Sequence, residues 1–265
     1  MESTSMRIAS VGQAVFATTM IGLGIVGLLH PDFVPLWNPV PAGSAHRLLI
    51  YLSALISLLA GIGLLLKRTA ARAAGVLLVT LLLWLLLFRL PNFFRAPLFA
   101  ACWSVFPLLV VAAASLALYV QLAADRGREP RGLISPGNGT RIARVLYAFS
   151  LIFFGAAHFL DLKDTLALIP RWMPFHLFWA YFTGCAFVAA GIAVVTGYGA
   201  RLAAALSTLQ IGLFLLLVWI PIVAAGSREP FHWSETILNA VILAGAWVIA
   251  GSYRDAPWFA AGKRS

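Results

Sequence analysis

The chain repeats itself, and it does so in apolar letters. Gly27-Leu28-Leu29-His30 returns as Gly155-Ala156-Ala157-His158, 128 residues on. His46 and Tyr51 return as His176 and Tyr181, Ala60-Gly61-Ile62 as Ala190-Gly191-Ile192, and Pro91 as Pro221, each 130 on. Arg95-Ala96-Pro97 comes back as Arg228-Glu229-Pro230, 133 on. A long period in an apolar chain predicts a duplicated membrane bundle. By this alignment of letters, four of the five histidines fall into two pairs.

Of the 265 residues 62% are hydrophobic and 11% charged, where a soluble domain carries about 25% charge. Such a chain is solvated by lipid, and in lipid a helix satisfies its own backbone. Eight apolar segments are long enough to cross about 30 Å of hydrocarbon at 1.5 Å per residue. They lie near 9–29, 48–66, 72–90, 99–120, 142–160, 177–196, 201–221 and 234–253. The first could be taken for a signal peptide, but its counterpart at 142–160 lies mid-chain and cannot be cleaved off, so the reading retains it. The expected fold is an all-α integral membrane protein of eight transmembrane helices. Two tandem four-helix bundles would be related by a pseudo-two-fold axis along the membrane normal. The halves are 1–123 and 141–265, joined by a Gly-, Pro- and charge-rich linker at 124–140.

The net charge of +10 would suggest nucleic acid in a soluble protein, but no soluble basic domain carries it. Sorted by side, thirteen Lys and Arg fall with the termini, the linker and the 67–72 and 197–201 turns, and six fall opposite. The positive-inside rule then puts both termini in the cytoplasm and all five histidines on the outer face. Cys102 and Cys185 form no CxxC pair and read as packing residues.

The outer ends of the second half hold the candidate ligand-binding residues. His158 and Asp161 stand three apart at one helix end. Arg171, Trp172 and His176 follow in the next loop. His232, Trp233 and Glu235 open the last helix, with His232 and Glu235 on one face. A carboxylate near an imidazole fixes its tautomer and can exchange a proton with it. The first copy has Phe99 and Cys102 where His232 and Glu235 stand, and its His30 and His46 read as interfacial. Arg89 and Arg95 read as snorkelling or lipid-phosphate residues. Gln210 reads as interhelical glue. No metal-ligand spacing is present, and no metal is expected.

The second half resembles the DoxX-like family of bacterial membrane proteins. The resemblance rests on Phe154-Gly155-Ala156-Ala157-His158-Phe159, Ile169-Pro170-Arg171-Trp172-Met173-Pro174, Tyr181-Phe182-Thr183-Gly184, Ala189-Ala190-Gly191-Ile192, Ala200-Arg201-Leu202-Ala203-Ala204 and Trp233-Ser234-Glu235. It spans about 141–253, with a faded copy at 7–120. Phe187 stands near the place of a Glu common in that family, and Trp219-Ile220-Pro221 replaces a His-Leu-Pro found in some members. The resemblance implies a redox-associated membrane subunit that binds a quinone or similar amphiphile at its outer face beside a redox partner subunit. The alternative is a non-enzymatic lipid- or ligand-binding scaffold. A transporter is a third reading, but no broken helix or mid-membrane charge is evident.

Overall fold

The computed structural model describes residues 10–259 apart from 32 and 128–131. Arg7, the 128–131 portion of the linker, Lys263 and Arg264 therefore lie outside the described residues. Ten α-helices follow in order: α1 Val11–Leu29, α2 His46–Leu65, α3 Ala70–Trp84, α4 Leu98–Ala124, α5 Pro136–Leu160, α6 Leu162–Leu168, α7 His176–Thr196, α8 Ala200–Phe214, α9 Ile220–Ala224 and α10 Pro230–Gly251. No β-strand occurs among them. Eight helical spans among the described residues are long and apolar enough to cross a membrane, and they coincide with the eight apolar segments. The protein is a multi-pass helical membrane protein.

Helix α5 begins at Pro136, inside the stretch expected to be linker. Proline fits the first helical turn, where its missing N–H has no partner to lose.

Helix α3 does not stop at Trp84 but widens into a π turn over Leu85–Arg89. The same occurs after α8, over Leu215–Trp219, 130 residues on. Each π turn precedes a proline, Pro91 and Pro221. A proline ring collides with the carbonyl four residues back and supplies no N–H to it, so the helix must open there.

Close helix contact fixes the register between halves. A β-carbon on Gly24 would sit 2.6 Å from the Leu58 nitrogen and 2.7 Å from the Ala54 oxygen. One on Gly155 would sit 2.9 Å from the Val188 nitrogen and 2.5 Å from the Gly184 oxygen. Residues 184 and 188 are 130 beyond 54 and 58, so Gly155 is the counterpart of Gly24. Gly61 and Gly191 agree: they meet Ala17 and Ile21, and Ala148 and Ile152, respectively. The first helix is thus offset by 131, not by the 128 that the letters suggest. His158 takes the place of Gly27, and the pairing of His30 with His158 is lost. A three-residue slip keeps nearly the same helix face, which is why the letters mislead. His46 and His176 remain counterparts, each opening its helix. Tyr51 and Tyr181 follow on those helices at 44% and 46% exposure.

The halves interlock. α1 packs on α2 and α2 on α3; α5 packs on α7 and α7 on α8. α3 packs on α4 and α8 on α10. Across the seam α10 lies against α1, α4 lies against α5, and α4 meets α10 between them. Each packing has a counterpart in the other half. α4 is the most enclosed span, with Val110 to Ala114 fully buried.

A cavity across the seam

The connection from α1 to α2 folds inward rather than lying on the surface. Val34, Leu36 and Trp37 are buried. The Trp37 indole donates to Ser57 Oγ at 3.0 Å, and the Trp84 indole donates to the Trp37 carbonyl at 2.9 Å. Arg89, the last residue of the π turn, donates from Nη2 to the Leu36 carbonyl at 2.8 Å. Two side chains, Trp84 and Arg89, thus satisfy loop carbonyls that would otherwise be stranded, and Ser57 anchors the Trp37 ring.

Next to this loop lies a cavity of about 510 Å³. The loop lines it with Leu36 and Asn38, and the start of α2 adds His46. Arg89 comes from the π turn, Trp103 and Ser104 from α4, and Ser234 and Glu235 from α10. It sits where α2, α4 and α10 begin, and both halves build it.

Arg89 is 1% exposed, and its Nε and Nη1 have no hydrogen-bond partner. Glu235 lines the same cavity, but no ion pair within 4.0 Å joins the two among the described residues. Nor does a protein hydrogen bond reach the Glu235 carboxylate there. The His46 Nδ1 lies 3.0 Å from the Pro41 carbonyl. A carbonyl only accepts, so Nδ1 carries the proton and Nε2 is left for the cavity. A cation with two unused donors and a carboxylate with none of its acceptors used line the same cavity.

Of the residues expected from the sequence, Glu235 alone lines this cavity. The His158 ring packs between Phe187 and Phe214, at 5.7 Å from each centroid, and its Nδ1 donates to the Phe154 carbonyl at 2.7 Å. Asp161 ends α5. Arg171 and Trp172 are exposed in the loop before α7. The His176 Nε2 donates to the Pro170 carbonyl at 3.2 Å. His232 meets Ser227 Oγ at 2.7 Å through Nδ1, and the Trp233 indole donates to the Ser227 carbonyl at 2.9 Å. These histidines are engaged locally, each in the segment beside it. Gln210 donates to the Thr183 carbonyl at 3.0 Å, an α8-to-α7 bond of the kind expected of it.

The surface role expected of Arg89 is overturned by its burial. The signal was present in the repeat. Arg89 stands at the place of Trp219, two residues before the shared proline, and so inside the helix rather than beyond it. Cys102 and Cys185 are free thiols. Among the described residues no three His, Cys, Asp or Glu side chains gather as metal ligands would. Comparison of the chain with family models, with curated proteins and with solved structures finds no match.

Proposed function

We propose that the protein binds a membrane-soluble amphiphile, its polar head in the seam cavity between Arg89 and Glu235 and its tail toward lipid. The observation that carries this reading is Arg89, a buried guanidinium with two donors unmatched. A buried charge without full hydrogen bonding is costly, and a ligand with acceptor oxygens supplies what the protein omits. The walls suit the rest of such a molecule, with Trp103, Pro107, Leu108 and Leu238 beside a few convergent polar groups.

A quinone is the redox form of this reading. Its carbonyl oxygens would accept from Arg89, and Glu235 would exchange a proton with the reduced head while a partner subunit supplied electrons. The resemblance of the second half to the DoxX-like family supports it, as does the position of the cavity at the helix ends that the charge pattern assigns to the outer face of a bacterial inner membrane. A scaffold that holds lipid without chemistry would use the same cavity and differ in transferring no electrons.

The test is extraction. Protein purified in native lipid is stripped with solvent, and the released molecules are identified by mass spectrometry beside an Arg89→Leu sample. Stoichiometric quinone or another amphiphile in the parent protein, absent from Arg89→Leu, supports the proposal. Equal recovery from both would remove Arg89 from the site and sink it.

A further inference from the structure

We infer that the head held in this cavity is an oxyanion, and that its binding brings a proton onto Glu235. The inference rests on the amphiphile reading and names the head it selects. Nε and Nη1 are unmatched on different edges of the guanidinium, so a head with several acceptor oxygens can satisfy more of it than a single carbonyl can. A carboxylate, sulfonate or phosphate presents two or three oxygens, whereas a quinone head presents one carbonyl oxygen at each end.

Charge gives the second half of the argument. Arg89, Glu235 and His46 are the ionisable groups that line the cavity. The α4 lining, with Trp103 and Ser104, is uncharged. α1, which packs on α10, has no ionisable side chain from 11 to 29. α8 and α9 have only Arg201, at the opposite end of the bundle. On α5, Arg141 and Arg144 are likewise at the far end and His158 is bonded to Phe154. On α10 itself His232 is held by Ser227, and Glu229 precedes the helix. The cavity is therefore lined by one guanidinium, one carboxyl group and the His46 imidazole. An anion on Arg89 consumes the positive charge and leaves Glu235 facing a second negative one at low dielectric. A proton taken from water, adding to the carboxylate to give the neutral acid, restores balance and lets Glu235 donate to the bound oxyanion.

The experiment titrates protein in phosphatidylcholine nanodiscs by calorimetry. The probes are decyl sulfonate, a permanent anion, decyl methyl sulfone, its uncharged relative, and methanesulfonate, which lacks the tail. Two buffers of different ionisation heat count protons. We expect decyl sulfonate to bind at least about tenfold tighter than the sulfone. Its affinity should rise as pH falls, by up to about tenfold per unit for one linked proton. In Glu235→Gln, with folding confirmed by near-ultraviolet circular dichroism, proton uptake and the pH dependence of sulfonate binding are lost, whatever the change in affinity. Equal binding of sulfone and sulfonate overturns the inference. So does proton uptake that survives Glu235→Gln and disappears in His46→Gln. A short-chain quinone that binds tightly with no proton overturns it and leaves the amphiphile reading standing. Methanesulfonate binding as tightly as decyl sulfonate does the reverse, and binding of no probe removes both.

Discussion

Arg89 and Trp219 stand 130 residues apart, each closing a π turn two residues before a proline, and of the two the arginine lines the cavity. Trp219 is buried against Phe231, with ring centroids 6.2 Å apart. The residues across the seam differ as well. Glu235 faces the cavity of Arg89, and its counterpart 133 residues earlier is Cys102. One seam thus pairs an arginine with a glutamate, and the matching positions of the other hold a tryptophan and a cysteine.

This relationship predicts coupled stabilities. Arg89→Leu leaves the Leu36 carbonyl unmatched, a cost of about 1–3 kcal/mol, and strands Glu235 without a countercharge. Glu235→Leu strands Arg89. The double variant Arg89→Leu with Glu235→Leu removes both charges and should be less destabilised than the sum of the singles. Thermal unfolding of the four proteins in one detergent measures this cycle. Additive losses would mean that the two charges do not sense each other.

The glycine contacts predict a sharp contrast along one helix pair. Gly155→Ala places a methyl 2.5 Å from the Gly184 oxygen, so α5 and α7 must separate, at about 1–3 kcal/mol. Gly24→Ala should do the same between α1 and α2. Gly22→Ala meets nothing within 4 Å and should be neutral or mildly stabilising, since alanine favours the helix. Similar melting temperatures for all three would refute the register.

Much of the fold was legible because hydrocarbon thickness dictates span length, and each of the eight apolar segments corresponds to a helical span. The site was harder to read. A duplication suggests self-contained copies, but α10 packs against α1 and α4 and carries Glu235 to first-half partners. Arg89 sits just before the break in a leucine run, where an arginine that snorkels and one that plugs a cavity look alike in one dimension. What separates them is the inward fold of Val34 to Trp37, and no periodicity announces a buried loop.

Sidedness is testable with single cysteines in a Cys102→Ala, Cys185→Ala background. Ser135→Cys lies just before α5, and Pro174→Cys just before α7. The excess of basic residues at the linker end predicts that an impermeant maleimide labels position 174 on intact cells and position 135 only after lysis. The opposite pattern would move the cavity to the cytoplasmic face.

At the end of the bundle away from the cavity, two arginines hold the chain that follows α10. The Arg144 guanidinium stacks 3.7 Å from the Tyr253 ring centroid and donates to Ser252 Oγ at 3.0 Å and to the Ser252 carbonyl. Arg201 donates to the Ala256 carbonyl at 2.7 Å and stacks 4.1 Å from the Trp258 ring. Partly desolvated cation–π contacts are worth about 0.5–2 kcal/mol each. Losing both should raise the open population of residues 252–259 by about fivefold or more, since 1.4 kcal/mol is a factor of ten. Trypsin cleavage after Arg254 reads that population, and it should quicken accordingly in Arg144→Leu with Arg201→Leu. The docking also has a pH limit. Burial pushes the Tyr253 phenol above its usual range, against the pull of Arg144. A group whose pKa is higher docked than free contributes fully below its free value, about 10 for tyrosine, and loses that contribution as the pH rises past it. Cleavage should therefore accelerate above that pH in the parent protein and not in Tyr253→Phe. A cleavage rate indifferent to both arginines would show that the segment is held by its own helix end alone.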